Sequence, residues 1–264
     1  MWKISHEGNV LYLGGTIHAL AESDYPLPSG FDTAYSAANV LVLETDIEKM
    51  QSPEAQGLLV NAMLYQDGRT LSRVLSSEVY QQLAQFIAQR GGDIAQFETF
   101  KPGMLSILLT LDEVKRLNQL GEGVDSYYDK RAQRDGKTRL FLETVEQQLN
   151  FLAAMGEGQE DHFMRYSLEE LNNTSAMLQQ LKHAWRSGNE STLETVGISE
   201  WRNDFPRLYQ SLLVQRNNAW LPQLDAMLNT APTEAVFVGA LHLVGEEGLL
   251  TQLRKRGYIV EQLP

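Results

Sequence analysis

Apolar residues along this chain fall into two rhythms, short unbroken runs and longer stretches at helical spacing. Unbroken runs mark strands covered on both faces, as in a parallel sheet flanked by helices. Val40 to Glu44 (VLVLE) and Thr138 to Glu143 (TRLFLE) are two such runs, and each ends in a carboxylate. Leu11 to His18 (LYLGGTIH) and Val236 to His242 (VFVGALH) are two more, and each ends in Gly-x-x-His. A hairpin is predicted where Trp2 to Ser5 and Val10 to Gly14 flank Glu7, Gly8 and Asn9. A closing strand is predicted from Tyr258 to Gln262.

The remaining segments carry helical spacing. A helix is predicted from Pro28 to Ala38, others between Pro53 and about Ala95, one of them capped by Ser77, and a further one from Pro102. A short polar helix containing Tyr127 and Tyr128 ends at Gly136. From Thr144 to Asn229 the pattern stays helical, with breaks near Gly156, Gly188 and Pro206, and Glu246 to Arg256 forms a last helix. These elements predict an α/β fold of one domain over residues 1–264. Its sheet is central and mostly parallel, strand-GxxH segments stand in two pseudo-duplicated halves, and a large helical insertion covers about 144–229.

Ligands of open α/β sheets gather beyond the carboxyl ends of the strands. If the four runs are parallel neighbours, His18, Glu44, Glu143 and His242 meet at one rim. Two imidazoles and one or two carboxylates are the nitrogen and oxygen ligand set of a catalytic zinc, manganese, cobalt or iron site. Such an ion acidifies water, so hydrolysis is the natural reaction, with a spare carboxylate as base and a cation at the oxyanion. Arg216, in QRNNAW, is the candidate cation. Two other chemistries stay open: a metal-free histidine base oriented by a carboxylate, and haem or another ligand held by a histidine with Tyr127 or Tyr128. A binding protein without catalysis also fits these residues. No Gly-x-Ser-x-Gly occurs, and His6, His162 and His183 lie in turn or charge-rich helical settings.

Composition narrows the partners. A chain of 264 residues can bury a substantial core. Its net charge of −12 argues against nucleic acid, whose binding demands a cationic face. The absence of cysteine excludes disulfides, thiolate ligands and a cysteine nucleophile. No stretch has the length and apolarity of a membrane span. Met1 is followed at once by the strand-like WKIS, which together with the missing cysteines raises the expectation of an exported chain, periplasmic or surface-associated, whose leader has been removed.

The segments WKIS, VLYLGGTIHAL, VLVLETD, GVDSYYDKRAQRDGKTRLFLETVEQQLNF, RNNAW and VFVGALHLVGEEGLLTQLRKRGY resemble the TraB/GumN family, related to the TIKI metalloproteases, in the same order from Trp2 to Tyr258. The resemblance implies a fold like that of erythromycin esterases and the ChaN haem-binding lipoproteins. It implies a divalent-metal-dependent hydrolase, a metalloprotease acting on a peptide or protein substrate with manganese, cobalt or zinc. His18 and His242 would be metal ligands, Glu44 a ligand or catalytic carboxylate, and Arg216 an active-site residue, with Glu143 and Asp125 in matching segments. The alternative the same scaffold allows is an exported protein that binds haem, a small ligand or a peptide without catalysis.

Overall fold

The computed structural model describes residues 1–263. It has a six-stranded sheet in the order β4-β3-β5-β2-β1-β6. β1 (Trp2–His6) and β2 (Asn9–Thr16) form the antiparallel hairpin, with Glu7 and Gly8 both at positive φ in its turn. β3 (Val40–Leu43), β4 (Thr138–Phe141) and β5 (Glu234–Gly239) follow, and β6 (Ile259–Gln262) pairs antiparallel to β1 at the edge. Since β4, β3, β5 and β2 are successive parallel neighbours, the sheet is parallel throughout the part that carries the four chemical runs.

Burial explains which strand lies where. Every residue of β5 is buried, as an unbroken apolar run demands, and β5 sits between β3 and β2. β4 is an edge strand whose Thr138 and Leu140 are exposed, so TRLF alternates where the sequence predicted full cover.

Contacts divide the chain into two compact units, each with its own core. One comprises Met1–Ile47, Asn118–Thr144 and the residues from Met177 onward. It contains the sheet, and Leu13, Leu41, Val236 and Phe237 pack in its core with Phe31, Tyr128 and Trp220. The other comprises Glu48–Leu117 and Val145–Ala176, is helical, and is cored by Leu71, Val79, Leu83, Leu105 and Met164. Residues 145–176 thus belong with 48–117, whereas the later helices of the strand-free stretch belong with the sheet.

Two helix starts differ from the sequence expectation for local reasons. Ser76 caps Ser77–Ala88 by accepting from the Val79 amide. The last helix spans only Leu249–Lys255, because Gly245 at φ +86° breaks the chain after the second histidine turn.

In the sheet-bearing unit the helix Val124–Asp135 begins against the turn that carries His18. The Val124 amide donates to the Ile17 carbonyl at 3.1 Å. Gly123 permits this approach, since a Cβ there would lie 2.2 Å from the His18 carbonyl oxygen. Gly123→Ala is therefore expected to destabilise the protein by about 1–3 kcal/mol, the range for forced overpacking, read as a lower midpoint in urea unfolding. An unchanged midpoint would contradict this packing.

Candidate functional site

The parallel register brings all four strand ends to one rim of the sheet-bearing unit. Gly239 ends β5 opposite Thr16 of β2, and its amide donates to Glu44 Oε1 at 2.5 Å, just past β3. A Cβ on Gly239 would stand 3.2 Å from Glu44 Oε1, 3.5 Å from His242 Cδ2 and 3.6 Å from His18 Nε2. Three of the residues named from the sequence therefore surround a position that has no side chain. A side chain there would press on Glu44 and fill the space between the three groups.

Arg216 organises the acidic side of the cluster. It follows a π-helical turn at Gln210–Val214, whose Leu212 carbonyl accepts from Nη1 at 3.3 Å. The guanidinium grips Glu143 in two places, Nε to Oε2 at 3.0 Å and Nη2 to Oε1 at 2.8 Å. Nη2 also donates to Glu44 Oε2 at 2.5 Å. All three side chains are buried. Burial alone would push the Glu44 carboxyl up, but Arg216, His18 and the Gly239 amide favour the ionised form and hold it below the usual carboxylate range. Glu143 moves the other way: burial, with Glu44 beside it, raises its pKa despite Arg216.

The two histidines sit in contrasting surroundings. His242 is buried, and burial lowers its pKa to about 3, leaving a neutral ring. Its tautomer follows from its partners. Asn217 Nδ2 donates to the carbonyls of His242 and Glu247 at 3.1 and 2.9 Å, which turns Asn217 Oδ1 toward His242 Nδ1 at 2.7 Å. Nδ1 therefore carries the proton, and the Nε2 lone pair accepts from Arg216 Nη1 at 3.0 Å. Trp220 packs against the ring with centroids 4.5 Å apart.

His18 is open, with its side chain 63% exposed, and Nδ1 lies 3.1 Å from Asp125 Oδ2. The Asp125 carboxylate raises its pKa to about 9, a pull that water around so exposed a ring weakens. Asp125, in GVD, is held in place by the Gly123 contact described above. Both imidazoles thus have an oxygen acceptor at Nδ1 and the same carboxylate, Glu44, near the other edge.

As a metal site the donor set fits in kind. Backing each Nδ1 with an oxygen acceptor fixes the ring and makes Nε2 a better ligand. Glu44 and Glu143 share one guanidinium, and Asp125 pairs with His18, so carboxylates outnumber the one permanent cation of the cluster. Further polar atoms at the rim, Thr16 Oγ1, Thr45 Oγ1 and Asp125 Oδ1, are buried without a hydrogen-bond partner among the described residues. The spacing is looser than a closed cage. Among the described residues no three His, Asp or Glu side chains stand at ion-gripping distance. His242 Nε2 and Glu44 Oε1 are 4.0 Å apart, against about 3 Å for two ligands each about 2.1 Å from one ion.

Asn217 was not singled out from the sequence, although it directly follows Arg216. An asparagine inside a helix carries no local sign that a distant histidine needs its carbonyl. Tyr128, considered as a cofactor ligand, is buried and donates its hydroxyl to Asp32 at 2.9 Å. His6 packs edge-on against Tyr258, and His162 and His183 are exposed on helices.

The model of the TraB/PrgY/gumN family matches residues 1–262. Uncharacterized protein YbaP of Escherichia coli strain K12 and its counterpart of the same name in Shigella flexneri are each 27% identical over 249 residues, covering 92% of this chain and 87% of theirs. No solved structure matches. Among the described residues no helix is long and apolar enough to cross a membrane.

The His18–Asp125 pair makes a pH prediction for chelator-treated protein. A folded-state pKa above the ordinary 6.5 means that its stabilisation is complete below 6.5 and lost as pH rises toward about 9. The His18 ring resonance should therefore titrate above 6.5, and Asp125→Asn should move that midpoint down toward 6.5. A midpoint at or below 6.5 in the parent protein would contradict the pairing.

Proposed function

The chain belongs to the TraB/PrgY/gumN family, and from that membership and the rim geometry we propose that it is a divalent-metal-dependent hydrolase whose preferred substrate is a peptide. The observation that carries the reading is the convergence of His18 Nε2, Glu44 Oε1 and the His242 ring around Gly239. The family's likeness to the TIKI metalloproteases supplies the peptide preference. Export of the chain, and a duplicated scaffold of the erythromycin-esterase and ChaN type with two strand-GxxH halves, belong to the same reading.

His18, Glu44 and His242 would hold the cation, manganese, cobalt or zinc. When bound there, it would acidify a water molecule and polarise the scissile carbonyl. The protein's own groups do the rest. Asn217 keeps the proton of His242 on Nδ1, so that Nε2 presents a lone pair. Arg216 now occupies that lone pair, and His242 becomes a ligand only when this one bond opens, while the bonds to Glu143 keep the guanidinium in place. Gly239 leaves room for substrate against the main chain. Glu143, whose pKa is raised, is the carboxylate suited to accept a proton from water and pass it to the leaving amine.

A second reading rests on one feature, the exposed His18 ring held by Asp125. In it His18 is the general base of a metal-free hydrolase and Asp125 orients it. Chelation separates the two.

A peptide-library digest read by mass spectrometry, with protein loaded with manganese, cobalt or zinc and with chelated protein, tests the proposal. Cleavage is expected only in the loaded protein, and His18→Ala and His242→Ala should each lose bound metal, measured by elemental analysis, together with cleavage. Asn217→Ala should weaken metal affinity about 10–100-fold, the usual effect of removing a ligand's supporting partner. Cleavage that survives chelation but not Asp125→Asn would establish the second reading. Metal content and cleavage unaltered in both alanine variants would end the first.

A further inference from the structure

Arg216 is not the only buried cation of the sheet-bearing unit. Lys182, near the end of the Glu160–Ser187 helix, is 8% exposed and takes no part in the strand-end cluster. Its ammonium donates to Asp24 Oδ2 and, at 2.5 Å, to Gln119 Oε1. Asp24 and Gln119 are far apart in the chain, but each lies six residues from one member of the His18–Asp125 pair.

The two segments between these residues run in opposite directions, main chain against main chain. His18 Nδ1 meets Asp125 Oδ2 at one end. A Cβ on Gly123 would collide with the His18 carbonyl oxygen, and one on Gly121 with that of Leu20. The Tyr25 hydroxyl donates to the Glu122 carbonyl at 3.1 Å. At the other end Lys182 joins Asp24 to Gln119, and Asp24 Oδ2 also accepts from the Ala21 amide at 2.8 Å, which closes the turn that leaves His18. Burial does not hold these segments by itself, since His18, Gly121 and Glu122 are exposed. The Lys182–Asp24 pair does hold them: its side chains are only 10% and 15% exposed, and separating them would leave a charge out of water without a partner.

We propose that Lys182 is a positioning residue for His18: by binding Asp24 and Gln119 together it keeps the two segments in register, so that the imidazole meets Asp125 and reaches the space before Gly239. A ring as exposed as His18 gets little packing of its own and depends on the segment that carries it. The role of Lys182 in metal binding rests on the hydrolase reading, whereas its hold on the His18–Asp125 pair does not.

Two variants of the full chain test this. Lys182→Met keeps the buried stem and deletes the ammonium. Gln119→Leu cuts one arm of the bridge, leaves the ion pair whole and alters no charge, so it folds if the first does not and its effect reads position alone. In chelated protein at one fixed pH, the His18 ring resonances should shift in each folded variant toward those of Asp125→Asn, while the His242 resonances stay in place. In protein titrated with manganese, each variant should bind the ion about tenfold more weakly than the parent, the lower end of the effect of removing a ligand's support. The proposal is overturned if the His18 resonances do not move in the folded variants, if those of His242 move equally, as general loosening would cause, or if a parent that binds manganese is matched in affinity by the variants. A parent that binds no metal ends the hydrolase reading, and the resonances then decide the role of Lys182 alone.

Discussion

One buried guanidinium holds this site in shape. Arg216 reaches it from the Gln215–Met227 helix and ties the ends of β3 and β4 together through Glu44 and Glu143, while its Nη1 faces the turn after β5. Three ionised side chains out of water are costly, and each is tolerated only because the others remain. Arginine suits the position since its planar fork serves both carboxylates and the imidazole at once, with its proton never in question. Lysine would offer a single point charge and could not span the three partners.

Around that fixed centre the two histidines are prepared for opposite duties. His242 is desolvated, neutral and locked by Asn217, whereas His18 is exposed and drawn toward the charged form by Asp125. Neither state is intrinsic to Gly-x-x-His. The motif supplies a turn and a ring; the neighbour at Nδ1, an amide in one case and a carboxylate in the other, decides the protonation. The rim thus sets a neutral, buried ring and a solvent-facing ring on either side of Glu44.

Much of the architecture was legible because it rests on local constraints. Unbroken runs such as VLVL and VFV mark buried parallel strands, and the Glu7–Gly8 turn marks the hairpin, since both follow from backbone geometry and from the cover each face receives. Where neighbours intervene, the reading departed from the structure. TRLF has an apolar character but lies at the sheet edge, so half its side chains meet water. The final helix starts at Leu249 and not Glu246, because the chain must first close the second histidine turn through Gly245.

The rim residues divide in the same way. His18, Glu44, Glu143 and His242 could be named from sequence because each ends an apolar run, and a strand end in a parallel sheet has few places to lead. Their convergence depends on the order β4-β3-β5-β2, which places the last long parallel strand between two much earlier ones. No local pattern encodes that order, as it is chosen by which faces pack best once all the helices are present. Asn217 and Asp125 show the same limit, for their meaning lies wholly in partners 25 and 107 residues away. Side-chain chemistry is written residue by residue, but the distances that turn it into a site arise only when the whole chain buries its apolar surface together.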